Sequence, residues 1–191
     1  MSGATPGPLL ARVAVLALVV VFLQIGVVSE VPVFGVNADI SILLVGFVGL
    51  MCGSMLGAAS GFAVGMIVDL ALLQTLGLTS LIFTLVGYWC GRLRELRDPQ
   101  AALTPLLLGA GVSAVSLIGY SLMEFMLGVD APISFELLRQ IVLGILVNTI
   151  VAVPMWMLVR RVLVGALPDD PRRRRRRRAY TTGGLSPLSK A

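Results

Sequence analysis

The sequence predicts an all-α integral membrane protein with six transmembrane helices, and three observations carry that prediction. Of the 191 residues, 57% are hydrophobic and 13% charged, and the mean hydropathy is +0.96, whereas soluble domains carry about 25% charged residues. The apolar residues gather into long runs closed by proline, glycine or charged residues. Within the apolar stretch 40–73, glycine recurs at every fourth residue: Gly49, Gly53, Gly57, Gly61 and Gly65. In water each interior glycine costs a helix about 1 kcal/mol relative to alanine. In lipid, small residues four apart form the edge along which helix backbones approach closely. The next step of four lands on Asp69.

A spanning helix needs about 20 apolar residues. Residues 9–28 supply the first, which is too long for the apolar core of a typical cleaved signal and lacks a small-x-small cleavage site after it. It reads as a retained span, ended by the turn-rich segment 29–39 with Pro32, Gly35 and Asn37. Residues 40–73 as one rod would measure about 51 Å, far beyond the roughly 30 Å hydrocarbon core. A spacing of four also drifts by about 40° per step on a helix of 3.6 residues per turn, so five glycines cannot share one face of a straight helix. A tight turn at 52–55 is therefore expected, with a short second span before it and a third span over 56–73. The fourth span covers 78–93, bounded by Gly77 and the charged segment 92–98, and Pro99 stops any continuation. The fifth covers 103–128 and the sixth 135–163, separated by Asp130, Ala131 and Pro132; both are long enough to tilt.

The basic residues orient these spans. An N-terminus on the cytoplasmic side places Arg12, Arg92, Arg94, Arg97, Arg160, Arg161, Arg172 to Arg178 and Lys190 inside, fourteen of the fifteen Lys and Arg residues, and leaves Arg139 outside. The positive-inside rule then gives an N-in, C-in topology. Glu30, Asp39, Asp130 and Glu136 fall outside, and Tyr88, Trp89 and Trp156 fall near inner span ends, where amphipathic rings favour the headgroup level. Residues 1–165 read as one membrane domain and 166–191 as a disordered tail, because seven consecutive arginines (Arg172, Arg173, Arg174, Arg175, Arg176, Arg177 and Arg178) repel one another and resist packing. Two readings of the run stay open, an anionic-lipid clamp and an orientation signal. Nucleic-acid binding is not expected, since nothing structured accompanies the run.

The composition excludes several classes of chemistry. There is no histidine, and the two cysteines, Cys52 and Cys90, lie in apolar surroundings. No disulfide framework, zinc site, haem site or other cofactor is expected, and the commonest general base is missing. No P-loop, nucleophile elbow or dinucleotide fingerprint occurs. The polar residues inside spans are Asp69, Glu124 and Asn148, with Arg139 close to the outer boundary. Asp69 and Glu124 read either as an ion or proton relay or as packing and capping groups near the outer span ends. Asn148 is expected to make an interhelical hydrogen bond, and Pro154 to kink the sixth helix. Ser54, Ser60, Ser113 and Ser116 are expected at helix contacts.

Taken together, several of these residues resemble the rod shape-determining protein MreD family of bacterial cell-wall elongation. The resemblance rests on Asp39 opening the second span after Asn37 and Ala38, and on Gly61, Phe62, Gly65, Asp69 and Leu70 followed by Leu76 and Gly77. It continues through Gly87, Tyr88, Gly91, Arg92 and Leu93, and through Asn148, Pro154, Arg160 and Arg161. The chain departs from the family at Ala38, where proline is frequent, and at 52–55, where a basic turn is frequent. The resemblance implies the six-helix fold of the substrate-binding components of energy-coupling-factor vitamin transporters. It also implies a non-enzymatic scaffold that binds the membrane-anchored MreC and acts through it on the MreB filament, the RodA glycosyltransferase and a class B penicillin-binding protein. The competing expectation is a substrate-capturing transporter component with an outward cavity near Asp39, Asp69, Glu124 and Asp130.

Overall fold

The computed structural model describes residues 7–28, 35–73, 75–96, 103–126, 128 and 135–165, apart from the side chains of Pro8, Glu95, Leu96, Glu124 and Glu136. Six α-helices form in chain order: α1 (Gly7–Leu23), continued by a π-helical turn (Gln24–Val28), α2 (Ile40–Cys52), α3 (Ser54–Ala71), α4 (Leu78–Leu96), α5 (Thr104–Met126) and α6 (Phe135–Leu163). The expected run ends at 28, 40, 78, 135 and 163 coincide with helix or turn boundaries.

By length and composition, four segments can cross a membrane: Leu9–Val28, Ser54–Ala71, Thr104–Met123 and Leu137–Leu163. Two of the six expected spans are not among these segments of the described residues: the second, which was expected to be short, and the fourth. One is α2, whose 13 residues make a rod of about 20 Å. It is apolar on every side, as a helix must be when surrounded. Residues 41 to 51 are all buried, and α1, α3, α4, α5 and α6 all pack on it. Phe47, fully buried, tilts at 56° against the Trp156 ring, with centroids 5.2 Å apart. The other is α4, whose C-terminal end carries Arg92 and Arg94.

One residue joins α2 to α3. Gly53 takes φ +100°, a region that L side chains rarely adopt, while its N–H still donates to Gly49 O at 2.8 Å and its carbonyl accepts from Gly57 N at 2.9 Å. Both helices thus keep their hydrogen bonds up to the joint, which lies inside the expected 52–55 turn. The six helices alternate in direction. Arg12, the Gly53 joint beside Arg94, and the end of α6 share one pole, while Asp39, Asp69 and the start of α4 share the other.

At the periphery, α1 contributes Val13, Leu16, Val20 and Val21 to the core and leaves Val15, Leu18, Val19 and Phe22 exposed. α5 and α6 approach where Gly109 faces the Ala152 methyl group and Gly144 faces Leu117. Pro154 lies inside α6, which continues through it to Leu163.

Candidate functional site

The closest approach in the molecule lies between α3 and α4. A Cβ built on Gly57 would stand 2.7 Å from Gly49 Cα, one on Gly61 2.6 Å from the Phe83 carbonyl carbon, and one on Gly65 2.6 Å from Ser80 N. Gly49, across the joint on α2, would place a Cβ 2.5 Å from Gly87 O. In each case the obstacle is backbone, which cannot rotate away, so any side chain forces the helices apart. The facing edge is also glycine: Gly87 abuts Gly57, and Gly91 abuts Gly53 and Ser54. Gly49, Gly57, Gly61, Gly65, Gly87 and Gly91 therefore make one seam through three helices. Gly53 needs a correction, because a Cβ there would meet only Arg94 Nη1 at 4.0 Å. Its glycine is required by the positive φ of the joint, not by close packing.

Asp69 closes the seam at its far end. The residue is 0% exposed, so it does not reach out to the interface as its place near the end of the third span had allowed. Instead, Gly77 N donates to Oδ2 at 2.8 Å, Thr79 N to Oδ1 at 3.3 Å, and Ser80 N to Oδ2 at a long 3.5 Å. These are the first amides of α4, which have no intrahelical acceptor. A carboxylate there also meets the positive end of the helix dipole. Gly77, at φ +92°, turns the chain so that its N–H points back to α3. Ser80 completes the lock by donating its hydroxyl to Phe62 O at 3.1 Å.

A second carboxylate works locally at the same pole. Asp39 is the N-cap of α2, its Oδ1 accepting from Ser41 N at 3.1 Å and Ile42 N at 3.2 Å. Its surroundings push the carboxyl up to about 6 by desolvation, against the opposing pull of those two N–H groups. The backbone on either side is held by amide side chains from distant helices. Gln24 donates Nε2 to Ala38 O at 3.0 Å and accepts from Ile40 N at 2.9 Å through Oε1, while Asn148 Oδ1 accepts from Asp39 N at 2.8 Å. Asn148 thus ties α6 to the residue that starts α2. The π-helical turn begins at Gln24, a deviation that occurs frequently at functional positions.

A family profile described as rod shape-determining protein MreD matches residues 9–163, from the first turn of α1 to the end of α6. The chain belongs to the MreD family. Comparisons with curated proteins and with solved structures gave no match. MreD proteins are rod shape-determining membrane proteins, and the seam and both carboxylates lie inside the matched region of this MreD chain.

Not all the residues singled out in the sequence converge. Asp69 and Asp39 share a pole but serve different helix starts, with Tyr120 of α5 in electrostatic reach of both. The Glu124 side chain, Asp130 and the run Arg172–Arg178 lie outside the described residues. Two open grooves near the aspartate pole are apolar, one lined by Phe135, Leu138 and Val142 beside Arg139, the other by Leu76, Leu81 and Met123. Neither is lined by Asp39 or Asp69. Ser60 and Ser116 bond to carbonyls one turn back on their own helices, at Gly57 and Ser113. Gln24 escaped sequence reasoning, being uncharged and set in an apolar run. Gly87 and Gly91 entered only through the family resemblance, although they carry the same spacing of four as the glycines they face.

Proposed function

We propose that this MreD protein is a multi-pass, non-enzymatic scaffold of the bacterial inner (plasma) membrane. It binds an MreC-like bitopic membrane protein and, through it, links the MreB filament, the RodA glycosyltransferase and a class B penicillin-binding protein to cell-shape control. Family membership supports the setting. One observation carries the scaffold reading: the carboxylates of Asp69 and Asp39 accept hydrogen bonds from the backbone amides that start α4 and α2. Carboxylates used this way fix helix positions. The reading as a vitamin-type transporter component loses support for the same reason.

Six crossings with both termini inside are the preferred topology, supported by Arg12, Arg92, Arg94, Arg160 and Arg161 at one pole. For residues 166–191, which lie outside the described residues, we infer a cytoplasmic role in which the arginines attract anionic lipid. Affinity purification in mild detergent tests the function. Recovery of a bitopic partner is the expected result, and recovery of an ATPase pair with a bound vitamin-like ligand contradicts it. Reporter fusions after Pro99 and after Lys190 are expected to give the cytoplasmic signal, and a periplasmic signal at either site contradicts the topology.

A further inference from the structure

We propose that the folded body itself holds the phosphate of an anionic phospholipid where the first turns of α1 meet the last turns of α6. Arg12 Nη1 donates to Val162 O at 3.2 Å, joining residues 150 positions apart in sequence. The same nitrogen lies beside Gly165, where a Cβ would stand 3.0 Å from it. Arg160 and Arg161 occupy that last turn of α6 and are exposed. Neither residues 7–28 nor residues 137–165 include an aspartate or a glutamate. Three arginines therefore lie on the two helix ends that meet here, with no aspartate or glutamate in either segment.

An anion offsets this concentration of positive charge, and phosphate, like carboxylate, matches the planar guanidinium fork bidentately. Arg12 uses one N–H on Val162 O and has further donors to offer. The apolar flanks select a lipid over a free ion: Leu10 and Val15 on α1 and Leu158 and Val164 at the end of α6 are exposed on the same helix ends. Headgroup charge and acyl chain thus find complementary surfaces at one place. Asp169 and Asp170 separate this seam in sequence from Arg172–Arg178, so the two basic groups can be altered independently. The leaflet follows from the orientation proposed above, but binding in detergent does not depend on that orientation.

Thermal unfolding of the purified full chain in uncharged detergent tests the site, with phosphatidylglycerol, phosphatidylcholine or inorganic phosphate added. Phosphatidylglycerol alone is expected to raise the midpoint. Arg160→Gln and Arg161→Gln are each expected to weaken its apparent affinity about fivefold, and Gly165→Leu, which displaces the Arg12 guanidinium, is expected to weaken it as well. Replacing all seven arginines Arg172–Arg178 with glutamine is expected to leave the midpoint shift in place. If Gly165→Leu fails to fold, the two exposed arginine variants carry the test. Four results overturn the proposal: an equal shift with phosphatidylcholine, an equal shift with inorganic phosphate, an undiminished shift in the Arg160→Gln/Arg161→Gln double variant, or loss of the shift only in the tail variant.

Discussion

The α3–α4 hairpin and α1 lie against the same buried α2 but are held in different ways. The hairpin is held by backbone proximity along a line of glycines and by a carboxylate that supplies acceptors to the next helix. Its partner surfaces are so close that no side chain fits between them. α1 shows an apolar stripe to the core and is tied by polar side chains near its two ends, Arg12 to Val162 O and Gln24 to the backbone around Asp39. Lipid is as apolar as leucine, so burying an apolar stripe against protein gains little there. Close packing and hydrogen bonds must then hold the helices, and the two regions divide these means between them. The hairpin is accordingly expected to open last and α1 to detach first, which the variants below test.

The largest expected effect is on the seam. Gly61→Leu and Gly65→Leu are each expected to cost about 3 kcal/mol, the upper part of the overpacking range, and to abolish folded protein on size-exclusion chromatography. Gly87→Leu should match them, because its Cβ would run into the Gly57 backbone on the same seam. Gly111→Leu is the control, since nothing lies within 4 Å of a Cβ there. Equal loss at Gly111 and Gly61 means that the seam is not special.

Next in size is Asp69→Leu, which leaves buried amides of α4 without an acceptor at a cost of about 1–3 kcal/mol. Thermal unfolding in detergent measures it. Gln24→Leu and Asn148→Leu come third, at about 1 kcal/mol each. Their effect should appear as faster hydrogen exchange in α1 and at the start of α2, with α3 and α4 unchanged; faster exchange in the hairpin contradicts the division of roles.

The last effect is confined to a pH window. The Asp39 carboxyl titrates at about 6 in the folded protein against 3.8 ordinarily, so the folded state binds this proton more tightly. Its contribution is then fully present below about 4 and falls as pH rises through 6. Asp39→Asn should flatten the stability profile across that window, and an unchanged slope contradicts the desolvated setting of this group.

Much of this architecture was legible because it depends on local chemistry. Proline, glycine and charge bounded the runs at 28, 78 and 135, and a length argument together with the drift of the glycine spacing placed the joint that Gly53 forms. What escaped was set by tertiary placement. The glycine spacing marked an edge on α3 without naming α4 as its partner, and nothing near Asp69 in sequence identified the α4 amides as its donors. Gln24 was hidden for a different reason: a single uncharged amide in an apolar run is unremarkable until the segment it binds folds back beside it.

Whether Asp69 acts by accepting hydrogen bonds or by carrying charge decides between a scaffold and an ion-coupled protein. Asparagine retains a side-chain oxygen in the same place and loses the charge, whereas leucine loses both. Cell-shape complementation by Asp69→Asn and Asp69→Leu at matched membrane levels, in a rod-shaped host lacking its own MreD protein, tests this directly. Rod shape with Asn and rounded cells with Leu is the predicted result, and rounded cells with both variants would contradict it.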